Sequence, residues 1–315
     1  MDLRKQIIDK IEKYEKIIIH RHKRPDMDAI GSQYGLYLLL KENYPQKEIY
    51  VVGDLNDMVY EAKMDDISDQ IYHGSLVIIT DVSVVKMISD DRYNLAAEII
   101  IIDHHQNDTD LPDVSIFYRN ATFASAAEMI IDLARFAKYK ITPEAATYLY
   151  GGMVTDTGRF LFLNEASQTF ELAAYITKFK PSIQPFYDYL YTEPLIKRQA
   201  KNLFSSFEIT RNGVAYRKNS DAILKQSGLD FQAVSRGMVN QMAGIKEIPI
   251  WANFTEDIEN NVVVGEFRSR GITIVDIAKK YGGGGHNHAC GATLKNWDEV
   301  DLVLKDLDER AKRND

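Results

Sequence analysis

Glu98-Ile99-Ile100-Ile101-Ile102-Asp103-His104-His105 is the stretch on which the reading of this chain turns. Four consecutive isoleucines leave no polar face, so the run reads as a strand buried on both sides, as in a parallel sheet covered by other elements. The polar triplet then falls where the strand leaves the sheet, the usual position of a site in an α/β protein. Two further apolar runs end in the same way. Ile17-Ile18-Ile19 leads into His20-Arg21-His22-Lys23-Arg24-Pro25-Asp26-Met27-Asp28, and Leu76-Val77-Ile78-Ile79 runs up to Asp81. Ionisable groups crowded at one sheet edge repel one another unless something positive binds among them.

Working outward, strands are expected at Lys16-His20, Ile49-Gly53, Leu76-Asp81, Glu98-Asp103 and Val114-Tyr118. Helices are expected near Ala29-Asn43, Ala124-Tyr139 and Pro143-Thr155. This alternation predicts an α/β fold with a mainly parallel sheet and helices on both faces. From Ser167 to about Ser205 the pattern is helical but interrupted by Pro181, Pro185 and Pro194, which predicts short helices in a bridging segment. Beyond Phe207, expected strands at Val214-Arg217, Pro249-Thr255 and Asn261-Arg268 mix with helices at Thr273-Lys280 and Asp298-Lys312, the texture of a smaller α+β domain. The expected layout is a domain over 1–180, a helical linker over 181–205 and a second domain over 206–315.

At 315 residues, with 45% hydrophobic and 27% charged content, the chain is long enough for two domains. The single cysteine, Cys290, rules out an internal disulfide framework. The charged amphipathic start, Met1 to Tyr14, is unlike a signal peptide, and no apolar run approaches the ~20 residues that span a bilayer, so a cytoplasmic protein without a membrane role is expected. A net charge of -8 argues against coating long nucleic acid, which needs a large basic footprint, but not against a small anionic substrate.

The candidate ligands are His22, Asp26, Asp28, Asp81, Asp103, His104, His105 and Asp156. Pro25 stiffens the loop that carries Asp26 and Asp28, and alternation in an extended loop would turn both to the same side. Asp28, just before Ala29-Ile30-Gly31, also reads as a helix N-cap. Asp156 lies in Gly151-Gly152-Met153-Val154-Thr155-Asp156-Thr157-Gly158-Arg159, which also reads as a helix end followed by a loop. His20 reads as a structural histidine. Mixed carboxylate and imidazole donors without cysteine suit Mn²⁺ or Mg²⁺, and the carboxylates are too many for one ion. Two ions ~3.5 to 4 Å apart, sharing a carboxylate and a hydroxide, are the arrangement used for in-line attack on phosphorus. Further on, Gly282-Gly283-Gly284-Gly285-His286 offers backbone N–H groups and an imidazole to an anion, and Arg268-Ser269-Arg270 adds a cationic fork.

Taken in order, His22-x-x-x-Asp26-x-Asp28, Asp81, Asp103-His104-His105 and Asp156-Thr157-Gly158 resemble the four motifs of the DHH phosphoesterase superfamily. The stretch from Gly282 to Ala292 is similar to the glycine-rich hallmark of the domain that follows in its RecJ-like branch, and the whole most resembles the NrnA-type oligoribonucleases. The resemblance implies two Mn²⁺, with Mg²⁺ or Co²⁺ as substitutes. It assigns His22 and Asp26 to one ion, Asp28, His104 and Asp156 to the other, and Asp81 to both. It further implies that His105 contacts the scissile phosphate and that Asp103 orients a neighbouring histidine. Arg268, Ser269, Arg270, Gly284, Gly285 and His286 would hold a terminal nucleotide across an interdomain cleft. Met27 stands where a small residue is frequent, and would narrow the mouth of the metal site. The implied substrates are short RNA, 3'-phosphoadenosine-5'-phosphate (pAp) and linear dinucleotides such as pApA and pGpG, acted on by a monomer or homodimer. Dedicated hydrolysis of linear dinucleotides derived from cyclic ones, and an inactive nucleotide sensor, are the rival readings. A family II inorganic pyrophosphatase shares the first motifs but lacks the glycine-rich loop.

Overall fold

The structure, a computed structural model, describes residues 2–54, 60 and 62–312. The chain divides into two units, 1–191 and 192–315.

Unit 1 is built on five parallel strands in the order β2-β1-β3-β4-β5: β1 Lys16–His20, β2 Glu48–Val51, β3 Leu76–Thr80, β4 Glu98–Asp103 and β5 Ile116–Arg119. Its helices are α1 Leu3–Lys13, α2 Met27–Asn43, α3 Asp69–Tyr72, α4 Ala126–Ala137, α5 Pro143–Asp156, α6 Ala166–Thr177 and α7 Ile183–Tyr191. The apolar runs divide by strand alternation. Ile17, Ile19, Ile78, Ile100 and Ile102 pack under the long helices, while Ile18, Val77, Ile79, Ile99 and Ile101 face the other way. That second face is covered by α3, by short 3-10 turns at Val85–Met87 and Asp91–Leu95, and by loop residues such as Ile67 and Leu111. Covering both faces explains why these strands carry no polar alternation.

Two features of unit 1 have physical causes that the sequence does not show. Gly151 and Gly152 lie inside α5, which ends at Asp156, one residue past the expected Thr155, and gives way to a turn as expected. They are contact points: a Cβ on Gly152 would lie 2.8 Å from Asp28 Oδ1 and 2.7 Å from the Ala127 Cβ, and one on Gly31 would lie 2.6 Å from the Tyr148 carbonyl. Helices α2 and α5 therefore approach backbone to backbone. Second, the helix after β1 starts at Met27 with Asp26, not Asp28, as its N-cap; the Asp26 carboxylate accepts the N–H groups of Asp28 and Ala29, both at 3.0 Å. Met27 is buried, its Cε packed near Gly151, and so lies beneath the site instead of narrowing its mouth.

Unit 2 contains α8 Leu195–Lys201, β6 Glu208–Ile209, β7 Val214–Asn219, α9 Asp221–Ser227, α10 Phe231–Ser235, β8 Ile250–Asp257, β9 Val262–Ser269, α11 Val275–Lys280, β10 Gly284–His286, β11 Ala289–Leu294 and α12 Trp297–Lys312. Its sheet has the order β10-β11-β9-β8-β7-β6, antiparallel except where β7 pairs with β8. The core gathers Phe254, Phe267, Leu294, Val300 and Leu307 between sheet and helices. The glycine run, expected as a loop, is partly a strand: Gly284, Gly285 and His286 pair with Gly291, Cys290 and Ala289. No apolar alternation announces such an edge strand.

Candidate metal centre

All strands of a parallel sheet end on one edge, so the sequence after β1, the end of β3 and the end of β4 meet there. His22 follows β1, Asp81 follows β3, and Asp103 closes β4 ahead of His104 and His105. Asp81 takes φ +62°, a left-handed conformation that aspartate tolerates, while its N–H still donates to the Ile102 carbonyl at 3.0 Å. Helix α2 starts beside this edge with Asp26 and Asp28, and α5 ends there with Asp156.

The side chains form three overlapping groups, each with donor atoms within 4.8 Å of one another: His22, Asp26 and Asp81; Asp28, His104 and Asp156; and Asp81, His104 and His105. Asp81 faces two histidines at once, Oδ2 lying 3.4 Å from His22 Nε2 and Oδ1 3.4 Å from His104 Nε2. His104 Nε2 is also 3.4 Å from Asp156 Oδ2 and 3.9 Å from Asp28 Oδ2.

The surroundings fix these donors. His22 Nδ1 lies 2.7 Å from the Lys23 carbonyl, which can only accept, so Nδ1 carries the hydrogen and Nε2 is left for the centre. Asp28 is buried, and its two oxygens accept the N–H groups of Ala126 (2.7 Å) and Ala127 (2.9 Å) at the start of α4, where the helix dipole favours an anion. Asp103 Oδ1 accepts the His105 backbone N–H at 3.1 Å and holds His105 Nδ1 at 2.8 Å, leaving the ring's other nitrogen for a substrate. His20 is fully buried, 3.2 Å from the Tyr72 hydroxyl, and burial lowers it to about 4, so it is a neutral core residue.

The titration behaviour shows a centre short of positive charge. Burial would hold His22 and His104 down, yet the surrounding aspartates lift them to about 11 and about 10. Burial would raise Asp81, but His104 and His22 hold it well below the ordinary value. Asp28 is raised well above that value by burial and by the charges of Asp81 and Asp156. Burial, opposed by His104 and reinforced by Asp81 and Asp26, lifts Asp156 to about 7. Protons thus sit where cations would. Asp81 Oδ1 is buried and makes no hydrogen bond, and the donors are all oxygen and nitrogen, a set that fits hard or borderline divalent ions.

In unit 2, Arg268 Nη1 donates to the Phe267 carbonyl (2.8 Å) and to Glu266 Oε2 (3.2 Å), and Glu266 Oε1 also accepts from Arg236 Nε at 3.2 Å. Neither Glu266 nor Arg236 is apparent from the sequence; Glu266 could have been found from its place two residues before Arg268 on one strand face. Arg270 points elsewhere, donating to the Lys246 carbonyl at 2.7 Å, and Ser269 is turned inward with its hydroxyl 2.5 Å from the Ile272 carbonyl. Gly284, Gly285 and His286 lie on the sheet's edge strand, with His286 exposed.

The family model for the DHH family, N-terminal domain, matches residues 16–153, and that for the DHHA1 domain matches 222–313. A Bacillus subtilis protein named bifunctional oligoribonuclease and PAP phosphatase NrnA is 34% identical over 318 residues, spanning 99% of this chain and 100% of its own length. This chain belongs to the DHH family. A probable bifunctional oligoribonuclease and PAP phosphatase NrnA of Streptococcus mutans is 36% identical over 306 residues, covering 96% of this chain and 97% of its own. The crystal structure of an exopolyphosphatase-related protein from Bacteroides fragilis superposes with a TM-score of 0.86 over 98% of this chain and 97% of its own; at 22% identity it speaks for the fold alone. As a DHH protein the chain is a hydrolase of phosphoester bonds. Among the described residues no helix is long and apolar enough to cross a membrane.

Proposed function

We propose that this protein hydrolyses short oligoribonucleotides to mononucleotides and pAp to AMP, using two Mn²⁺ bound at the sheet edge. The observation that carries the reading is Asp81, whose two oxygens belong to two different ligand groups, as a carboxylate shared by two ions requires. The names of the two NrnA relatives supply the substrate class. His22 and Asp26 would hold one ion, Asp28, His104 and Asp156 the other, with Asp81 between them.

The ions, once bound, supply a water acidified to a nucleophile and charge to offset the phosphate oxygens. The chain's own side chains do the rest. His105, steadied by Asp103, would donate to a non-bridging oxygen of the scissile phosphate. Arg268, Ser269 and Arg270, with Gly284, Gly285 and His286, would bind the nucleotide's remaining phosphate; the exposure of His286 supports this, whereas Arg268 would have to share its guanidinium with Glu266, Ser269 to turn out from the Ile272 carbonyl and Arg270 to leave the Lys246 carbonyl. Both reactions can expel a 3'-oxygen from phosphorus, so one site serves both. The negative net charge fits a protein of the cytoplasm that grips only a few phosphates.

A Mn²⁺-dependent rate panel on pAp, pApA, pGpG, pentanucleotide RNA, ~20-mer RNA and pyrophosphate tests the reading. Fastest turnover of pAp and of RNA shorter than about five nucleotides is expected. Hydrolysis of pyrophosphate alone, or equal rates on dinucleotide and ~20-mer, would refute it, and activity confined to pApA and pGpG would assign the protein to cyclic-dinucleotide breakdown instead.

A further inference from the structure

Arg21 is the largest fully buried side chain of the described residues, and it immediately precedes His22. A guanidinium removed from water needs an anionic partner, and this one finds Asp54, 33 residues away. Arg21 Nη1 is 3.2 Å from Asp54 Oδ1, and Nη2 donates to the Asp54 carbonyl. The same Nη1 donates to the His22 carbonyl at 3.0 Å. The other carboxylate oxygen of Asp54 accepts the Arg24 N–H at 3.0 Å, and Arg24 sits at φ +52°, a conformation that a residue with a side chain keeps only when its neighbours enforce it.

The loop is tied from its other side as well. Ser89 N–H donates to the Arg21 carbonyl at 2.9 Å and Lys23 N–H to the Met87 carbonyl at 2.7 Å. Gly53 leaves the room this needs: at φ +131°, a Cβ there would lie 2.5 Å from Ser89 Oγ and 3.1 Å from Arg21 Nη1. The segment from Arg21 to Arg24, which contains His22 and leads to Asp26, is therefore gripped by Asp54 on one side and by 87–89 on the other. Asp28 is held by a different partner, the start of α4.

We propose that Asp54 is a positioning residue for one metal ion only: acting through Arg21 and the Arg24 amide, it sets His22 and Asp26 around the ion they share with Asp81, and leaves the ion of Asp28, His104 and Asp156 untouched. The proposal rests on the two-ion reading above. Its test is calorimetric titration of Mn²⁺ into the full-length, substrate-free protein, comparing wild type with Asp54→Asn and Asp54→Glu. Asparagine keeps the size but turns an N–H₂ or an uncharged oxygen to the guanidinium, while glutamate keeps the charge. In Asp54→Asn one of two binding events should weaken about 10- to 100-fold and the other change less than about twofold, the range seen when groups that orient metal ligands are removed. The Mn²⁺ concentration for half-maximal rate should rise by the same factor, with kcat recovered at saturating Mn²⁺, and Asp54→Glu should restore part of the lost affinity. Unchanged affinity for both ions, or equal weakening of both, overturns the positioning role alone. A wild-type protein that binds a single Mn²⁺ overturns the two-ion reading and this proposal with it.

Discussion

The two edges of the unit 1 sheet handle negative charge in opposite ways. At the edge where β4 begins, Glu98 meets two cations of its own chain, Lys10 and, at 3.0 Å, Lys13, and accepts the Tyr14 hydroxyl at 2.7 Å. At the edge where β4 ends, Asp26, Asp28, Asp81 and Asp156 crowd together, and among the described residues none has a lysine or arginine within ion-pair distance. One edge is complete as folded. The other draws no such cation from the chain, and its histidines and raised carboxyl groups hold protons where the proposed ions would sit. Burying unmatched carboxylates costs folding free energy, and a fold keeps such an arrangement where the missing charge does chemistry.

This contrast can be broken experimentally, and the largest effect is expected at Asp81. Asp81→Asn should lower kcat by at least ~10³-fold, since on the proposed reading it removes the group both ions would share, and it should also lower the stability of the metal-free protein, because His104 and His22 hold the Asp81 carboxylate ionised in the fold and lose their partner. Steady-state rates at saturating Mn²⁺ and melting in chelator check the two halves. An unchanged rate would mean that Asp81 serves only to pair the two histidines, and an unchanged metal-free stability that this pairing is absent. Next in size is Gly152→Ala, whose Cβ would press on Asp28 Oδ1 and Ala127. It should destabilise unit 1 by about 1 to 3 kcal/mol through overpacking and weaken the Asp28 ion, both visible when thermal melting is followed with and without Mn²⁺.

The smallest effect lies at the self-sufficient edge. Burial would raise Glu98, but Lys10, Tyr14 and Lys13 outweigh it and lower the group to about 2 from an ordinary 4.5. A lowered folded-state value means that the unfolded chain binds the proton more readily, so this interaction is fully present above pH 4.5 and is lost as the pH falls towards 2. Glu98→Gln should flatten that part of the acid-denaturation curve and leave kcat and Mn²⁺ affinity unchanged. A change in either would show that the two edges communicate along β4.

The metal edge was readable because its strands announce themselves. Runs such as Ile99 to Ile102 can only be buried, they end at polar residues, and the parallel arrangement brings those ends together. Which aspartate caps α2 was not readable, since Asp26 and Asp28 both suit the position and backbone geometry decides between them. At Gly151-Gly152 the helix runs on as expected, but why glycine stands there was not readable, since only the partner helix shows the close contact. The strand β10 escapes notice because a glycine-rich edge strand has no alternation to detect, and β11 because two of its three buried positions, Cys290 and Ala292, carry small side chains that make a weak apolar signal. The Arg21 to Asp54 link joins residues far apart in sequence, and no local pattern reports it.

The contact between α2 and α5 bears on more than packing. Asp28 rides on the first turn of one helix and Asp156 on the last residue of the other, and with no side chain between them at Gly31 and Gly152 the two helices are bolted into a single mount. His22 instead hangs from a loop held by latches, and its companion Asp26 sits where that loop joins the start of α2. If two ions bind as proposed, their positions stand on unequal mechanical footings, and when divalent ions are withdrawn step by step the position of His22 should empty first, leaving the protein half loaded before it is bare.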